Sequence, residues 1–102
     1  MNEIVRGTTP TISFGLHFPT DLLETGFVTV KQREKVIIEK GISDCKCSEN
    51  TLAARLTQED TLALEPGIHA YIRLVVKTTG GDRLETGDYI IKVSNTHKGE
   101  VI

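Results

Sequence analysis

The sequence predicts an all-β fold, a two-sheet antiparallel sandwich in a single domain spanning residues 1–102. Three observations lead there. Apolar residues recur at every second position in several short runs, the period of a strand with one face on a core. Turn-forming residues punctuate the chain every ~8–12 residues. Only two stretches, each about one turn long, carry helix-start chemistry.

The clearest strand is His69 to Thr79, HAYIRLVVKTT. Ile72, Leu74 and Val76 share one side, and Tyr71, Arg73, Val75 and Lys77 share the other, so this strand belongs in the middle of a sheet. Pro66-Gly67 leads into it and Gly80-Gly81-Asp82 ends it with a hairpin signal.

In chain order, Ile4-Val5 reads as a short edge segment before the turn Arg6-Gly7-Thr8-Thr9-Pro10, where Pro10 cannot donate to a ladder. Thr11 to Phe18 is the cleanest alternation, with Ile12, Phe14, Leu16 and Phe18 as its core face. Asp21 to Gly26 is expected to form one helical turn with Asp21 as cap and Gly26 as stop. Phe27 to Gln32 and Lys35 to Lys40 flank Arg33-Glu34 as a charged hairpin, with Val28 and Val30 facing Val36 and Ile38.

Gly41 to Asp44 turns into Cys45-Lys46-Cys47, which pairs as a second hairpin with Thr51 to Leu56. Thr57-Gln58-Glu59-Asp60 has capping-box spacing and starts a short helical turn from Gln58 to Leu64. Arg83 to Thr86 is a brief return strand, Tyr89 to Ser94 a final one, and Asn95 to Ile102 a frayed end. Seven or eight short strands with one or two helical turns indicate an immunoglobulin-like sandwich, with a small barrel as the alternative.

Composition narrows the function classes. Hydrophobic content of 38% with 25% charged residues is ordinary for a folded soluble domain and argues against disorder. The net charge of -2 is scattered and offers no basic stripe, so nucleic acid is not an expected partner. Nothing approaches the roughly 20 apolar residues of a membrane span, and MNEIVRGTTP lacks the apolar core of a signal peptide. A cytoplasmic origin follows, with Cys45 and Cys47 as reduced thiols. Two residues apart in an extended strand they lie about 6–7 Å from each other, too far for an easy disulfide.

Motifs for chemistry are weak. Cys45, Cys47, His17, His69 and His97 are the ligand types zinc prefers, yet C-x-C is not the usual zinc spacing and no second pair matches it. No metal, cofactor or catalytic residue is therefore expected. His17 and His69 fall where exposed or singly hydrogen-bonded side chains belong, and Glu59, Asp60 and Glu65 gather where helix capping accounts for them. No G-x-S-x-G or phosphate loop occurs. Sugar binding needs flat aromatic surface, hard to assemble without Trp. What remains is protein contact: Val75, Ile90 and Ile37 fall opposite the core residues of their strands, where subunits dock.

Two stretches carry a resemblance. Arg6-Gly7-Thr8-Thr9-Pro10 before the alternating strand, and Leu56-Thr57-Gln58-Glu59-Asp60-Thr61-Leu62 before Ile72-Arg73-Leu74, resemble small prophage proteins of Gram-positive bacteria. They are also similar to the immunoglobulin-like N-terminal domain of phage baseplate upper proteins. The resemblance implies a non-enzymatic structural or assembly protein of the phage tail or baseplate. Its partners would be other virion proteins or itself, and its location the bacterial host cytoplasm during assembly or the virion. Baseplate upper proteins extend well past such a domain, and this sequence stops at Ile102. The alternative function is a ligand-binding sandwich for carbohydrate or metal.

Overall fold

A computed structural model describes residues 3–95. Nine strands and one α-helical turn follow in order: β1 (Glu3–Val5), β2 (Thr11–Gly15), β3 (Leu23–Gln32), β4 (Lys35–Gly41), β5 (Lys46–Ser48), β6 (Thr51–Arg55), α1 (Gln58–Leu62), β7 (Ala70–Thr78), β8 (Arg83–Glu85) and β9 (Tyr89–Ser94). They form two sheets. One has the order β1-β9-β7-β3-β4 with β8 also on β7, and the other is β2-β6-β5. First strand beside last, β7 at the centre and a separate three-stranded layer make this an immunoglobulin-type sandwich.

The alternation read from sequence sets the inward faces. Ile12 and Phe14 of β2, Val28 and Val30 of β3, Ile72, Leu74 and Val76 of β7, and Ile91 and Val93 of β9 are buried in one cluster with Leu52, Ala54, Leu56 and Leu64. Each large aliphatic side chain so buried contributes about 1.5–3 kcal/mol of transfer free energy, which is why the register of the inner strands is firmly specified. Leu16 and Phe18 lie past the end of β2 but still pack half-buried against this core.

Four sequence expectations are corrected. The pairing is not wholly antiparallel, because β1 runs parallel to β9 with Ile4 opposite Val93. The helical turn at Asp21–Gly26 is reduced to a 3-10 turn at Thr20–Leu22, and Leu23–Gly26 already belongs to β3. Gly26 there is no stop signal: a Cβ on it would lie 2.6 Å from the Val75 carbonyl oxygen, so glycine permits the close approach of β3 to β7. Third, a bulge in β4 opposite Val30/Lys31 places Val30 against Ile38 but Val36 against Lys31 and Val28 against Lys40. Val36 is thereby exposed, and Ile37, expected outside, packs on the core. The fourth concerns α1, which stops at Leu62 and not at Leu64. The expected frayed end falls, apart from Asn95, outside the described residues.

The capping box forms as its spacing predicts. The Asp60 amide donates to Thr57 Oγ1 (3.1 Å) and the Thr57 amide to Asp60 Oδ2 (2.8 Å). The two stretches that carry the family resemblance meet at this turn. The Gly7 amide donates to the buried Thr61 Oγ1 (3.0 Å), Thr61 Oγ1 donates to the Thr8 carbonyl (2.9 Å), and Arg6 Nη2 donates to the Leu62 carbonyl (3.0 Å). Both motifs thus bind the chain ends of the two sheets together. Lys40 Nζ adds a 2.7 Å ion pair to Asp60 from the edge of β4.

Candidate functional site

The two outer faces of the sandwich differ in chemistry. On the three-stranded sheet the outward residues are Thr11, Ser13, Thr51, Ala53 and Arg55 with Lys46 and Ser48, all small or polar. The six-stranded sheet turns Phe27, Tyr71 and Ile90 outward, exposed by 46, 38 and 63%, with half-buried Val75 beside Phe27. The period of two that buries Val28 and Ile72 forces these neighbours to the opposite side. Exposed Val36 lies opposite Lys31 on the same face. Leu22, Leu84 and Tyr89 are exposed too, Leu84 and Tyr89 in register with inward-facing Val76 and Ile72, but of the two outer faces this is the one that holds large side chains in water, and that marks it as the surface with binding potential.

Arg73 crosses the middle of this face. Its Nε donates to Asp88 Oδ1 (2.9 Å) and its Nη1 to Glu85 Oε1 (3.2 Å), while Arg83 Nη1 donates to Glu85 Oε2 (2.7 Å). The Asp88 hydrogen bond and charge raise the Arg73 pKa, and the Arg83 hydrogen bond and charge, helped by Arg73, lower that of Glu85. These exposed pairs fix side-chain positions and divide the apolar surface in two. Phe27 and Val75 lie on one side of Arg73, Tyr71 and Ile90 on the other.

Each half borders a cleft. A cleft of about 460 Å³ beside Phe27 and Val75 is floored by Gly26 and flanked by Glu39 and Lys77. A second, about 600 Å³, lies where Lys31 and Tyr71 meet the loop carrying Gly67, Ile68 and His69, with Arg33 and Asp88 at its rim. It brings the Lys31 amine and Arg33 guanidinium of one segment against the His69 imidazole and Tyr71 phenol of another that is distant in sequence, so no single local motif announces it. Phe27 takes its place from local alternation: it precedes the core position Val28 by one residue and faces out.

The residues weighed for metal binding do not converge. Cys45 is half-buried, with Sγ 3.4 Å from the Gly41 carbonyl, and Cys47 is exposed on β5 opposite Leu52. Burial, followed by the nearby Cys47 and Asp44, raises the Cys45 thiol, which stays protonated at neutral pH. His17 and His69 are exposed, and His97 lies outside the described residues. Among the described residues no group of three or more His, Cys, Asp or Glu side chains is placed to hold a metal ion, and no helix is long and apolar enough to cross a membrane.

The fold and face define an immunoglobulin-type sandwich with one apolar outer surface. Comparison with protein-family models, curated proteins and solved structures returns no match for the chain.

Proposed function

We propose that this protein is a non-enzymatic structural or assembly component of a phage or prophage, of tail or baseplate type, that works by protein-protein contact in the host cytoplasm or the virion. One observation carries the contact reading: Phe27, Tyr71 and Ile90 are all exposed on one face of the sandwich, while the opposite face is small and polar. Burying such residues against a partner removes apolar area from water at about 25 cal/mol per Å². The phage assignment is supported by the resemblance of Arg6–Pro10 and Leu56–Leu62 to the baseplate-type domains. Both stretches form the joint between the sheets, so in this reading they identify the scaffold and the outer face identifies the partner.

The test is binding to purified tail and baseplate proteins encoded near this gene, followed by titration calorimetry with the Phe27→Asp and Ile90→Asp variants. Binding by the parent chain that is lost in either variant, with melting temperatures unchanged, supports the proposal. A chain that binds no tail or baseplate component refutes it.

The ligand-binding alternative is favoured by the polar cleft at Lys31, His69 and Tyr71, whose donors suit a small polar ligand. Retention on a glycan array that is lost on Tyr71→Ala would support it, and zinc in the purified protein would support the metal form.

A further inference from the structure

We infer that the Phe27–Val75 half of the outer face is a self-association surface whose occupant is a second copy of this chain. This rests on the reading of that face as a contact surface and names its partner. Phe27 and Val75 are directly opposite on β3 and β7, and their cleft is lined mainly by carbon. Two charges frame it. Glu39 on β4 is opposite Thr29, one strand to one side of Phe27 and two residues further along β3. Lys77 on β7 is opposite Thr25, one strand to the other side and two residues back.

Glu39 and Lys77 thus sit at matching offsets on either side of Phe27. Both are exposed, and neither has an ion-pair partner among the described residues, although Arg73, Arg83, Glu85 and Asp88 close by are all paired. A two-fold axis lying in the interface, through Phe27 and perpendicular to the line from Glu39 to Lys77, superposes each on its counterpart in the other copy. Phe27 then meets Phe27 of the second copy at the centre, and two equivalent Glu39–Lys77 pairs form at the periphery. An isologous dimer requires this kind of self-complementarity: an apolar centre with opposite charges equidistant from it. Twisted sheets pack face to face either nearly aligned or nearly orthogonal, so such a crossing is accessible to the fold.

Charge reversal tests it without relying on an altered core. Glu39→Lys places lysine against Lys77 in both pairs, and Lys77→Glu places glutamate against Glu39. Either homodimer then carries two repulsive contacts, while an equimolar mixture of the two variants regains two attractive ones. Sedimentation velocity over a concentration series up to about 1 mM reads association directly. The expected result is a parent dimer, an affinity at least about tenfold weaker for each variant alone, and a heterodimer restored in the mixture. A monomeric parent chain, single variants that associate like the parent, or a mixture that stays monomeric would each overturn the inference. The same samples separate this from the functional reading. A chain that stays monomeric yet binds a tail protein ends only the inference, and one that dimerises but binds no tail protein ends only the phage assignment.

Discussion

Gln32 is the buried polar residue on which the loop between α1 and β7 depends. It is 3% exposed at the end of β3. Its Nε2 donates to the carbonyls of Glu65 (3.0 Å) and Ile68 (2.9 Å), and its Oε1 accepts from the Glu65 amide (2.8 Å). One amide side chain therefore satisfies three backbone groups of a segment that has no ladder of its own. Gln32→Leu keeps the approximate volume and removes all three bonds. At about 1 kcal/mol net per hydrogen bond the loss is about 3 kcal/mol. The gain from burying leucine offsets up to about 1 kcal/mol of this, and water reaching the exposed Glu65 offsets a little more. The expected destabilisation is about 2–3 kcal/mol in urea unfolding at an unchanged m-value. Native-state exchange should show the Glu65 amide losing protection well before the amides of β7. A variant within about 0.5 kcal/mol of the parent, or one whose Glu65 amide stays protected, would refute this role for Gln32.

Three further outcomes follow from the packing. Gly26→Ala places a methyl against the Val75 carbonyl, which cannot retreat without breaking the β3–β7 ladder, so equilibrium unfolding should show a loss of more than about 2 kcal/mol. Burial alone would raise the Asp60 pKa, but hydrogen bonds from Lys40 and Thr57 and the Lys40 charge together lower it. A lowered carboxylate stabilises the fold above its unfolded pKa and loses that contribution as pH falls through the folded value. The parent's advantage over Lys40→Met, about 1–2 kcal/mol at neutral pH, should therefore shrink below about pH 4 in pH-dependent unfolding. Arg33 and Glu34 turn the β3–β4 hairpin at φ of 52° and 64°, conformations that suit Asn-Gly, so the double variant Arg33→Asn, Glu34→Gly should raise stability by about 0.5–1 kcal/mol in thermal melts.

How much was legible depended on whether the determining contact was local. The inward faces of β2 and β7, the Arg33-Glu34 hairpin and the capping box at Thr57 each rest on residues within a few positions of one another, and their types alone specify them. Gly26 was misread because a glycine after a capped turn looks the same whether it ends a helix or admits a neighbouring strand. What distinguishes them is Val75, 49 residues away. The parallel pairing of β1 with β9 and the bulge that turns Ile37 inward are likewise settled by partners outside any sequence window. Of the candidate surface, Val75 and Ile90 were expected outside and are. Phe27 and Tyr71 could be placed there by the same alternation, but the cleft joining Lys31 to His69 could not.

The claim that the outer face of the six-stranded sheet is the working surface is tested most directly by a two-sided aspartate scan. Phe27, Tyr71 and Ile90 on one sheet, and Thr11, Ser13 and Ala53 on the other, are each replaced by Asp. Every variant is scored for melting temperature, for binding to the proposed tail or baseplate partner and for self-association. Affinity losses of about tenfold or more confined to the six-stranded sheet, toward the tail partner at Tyr71 and Ile90 and toward a second copy at Phe27, at parent-like melting temperatures, are what this account predicts. Losses confined to Thr11, Ser13 and Ala53, or full binding by all six, would contradict it.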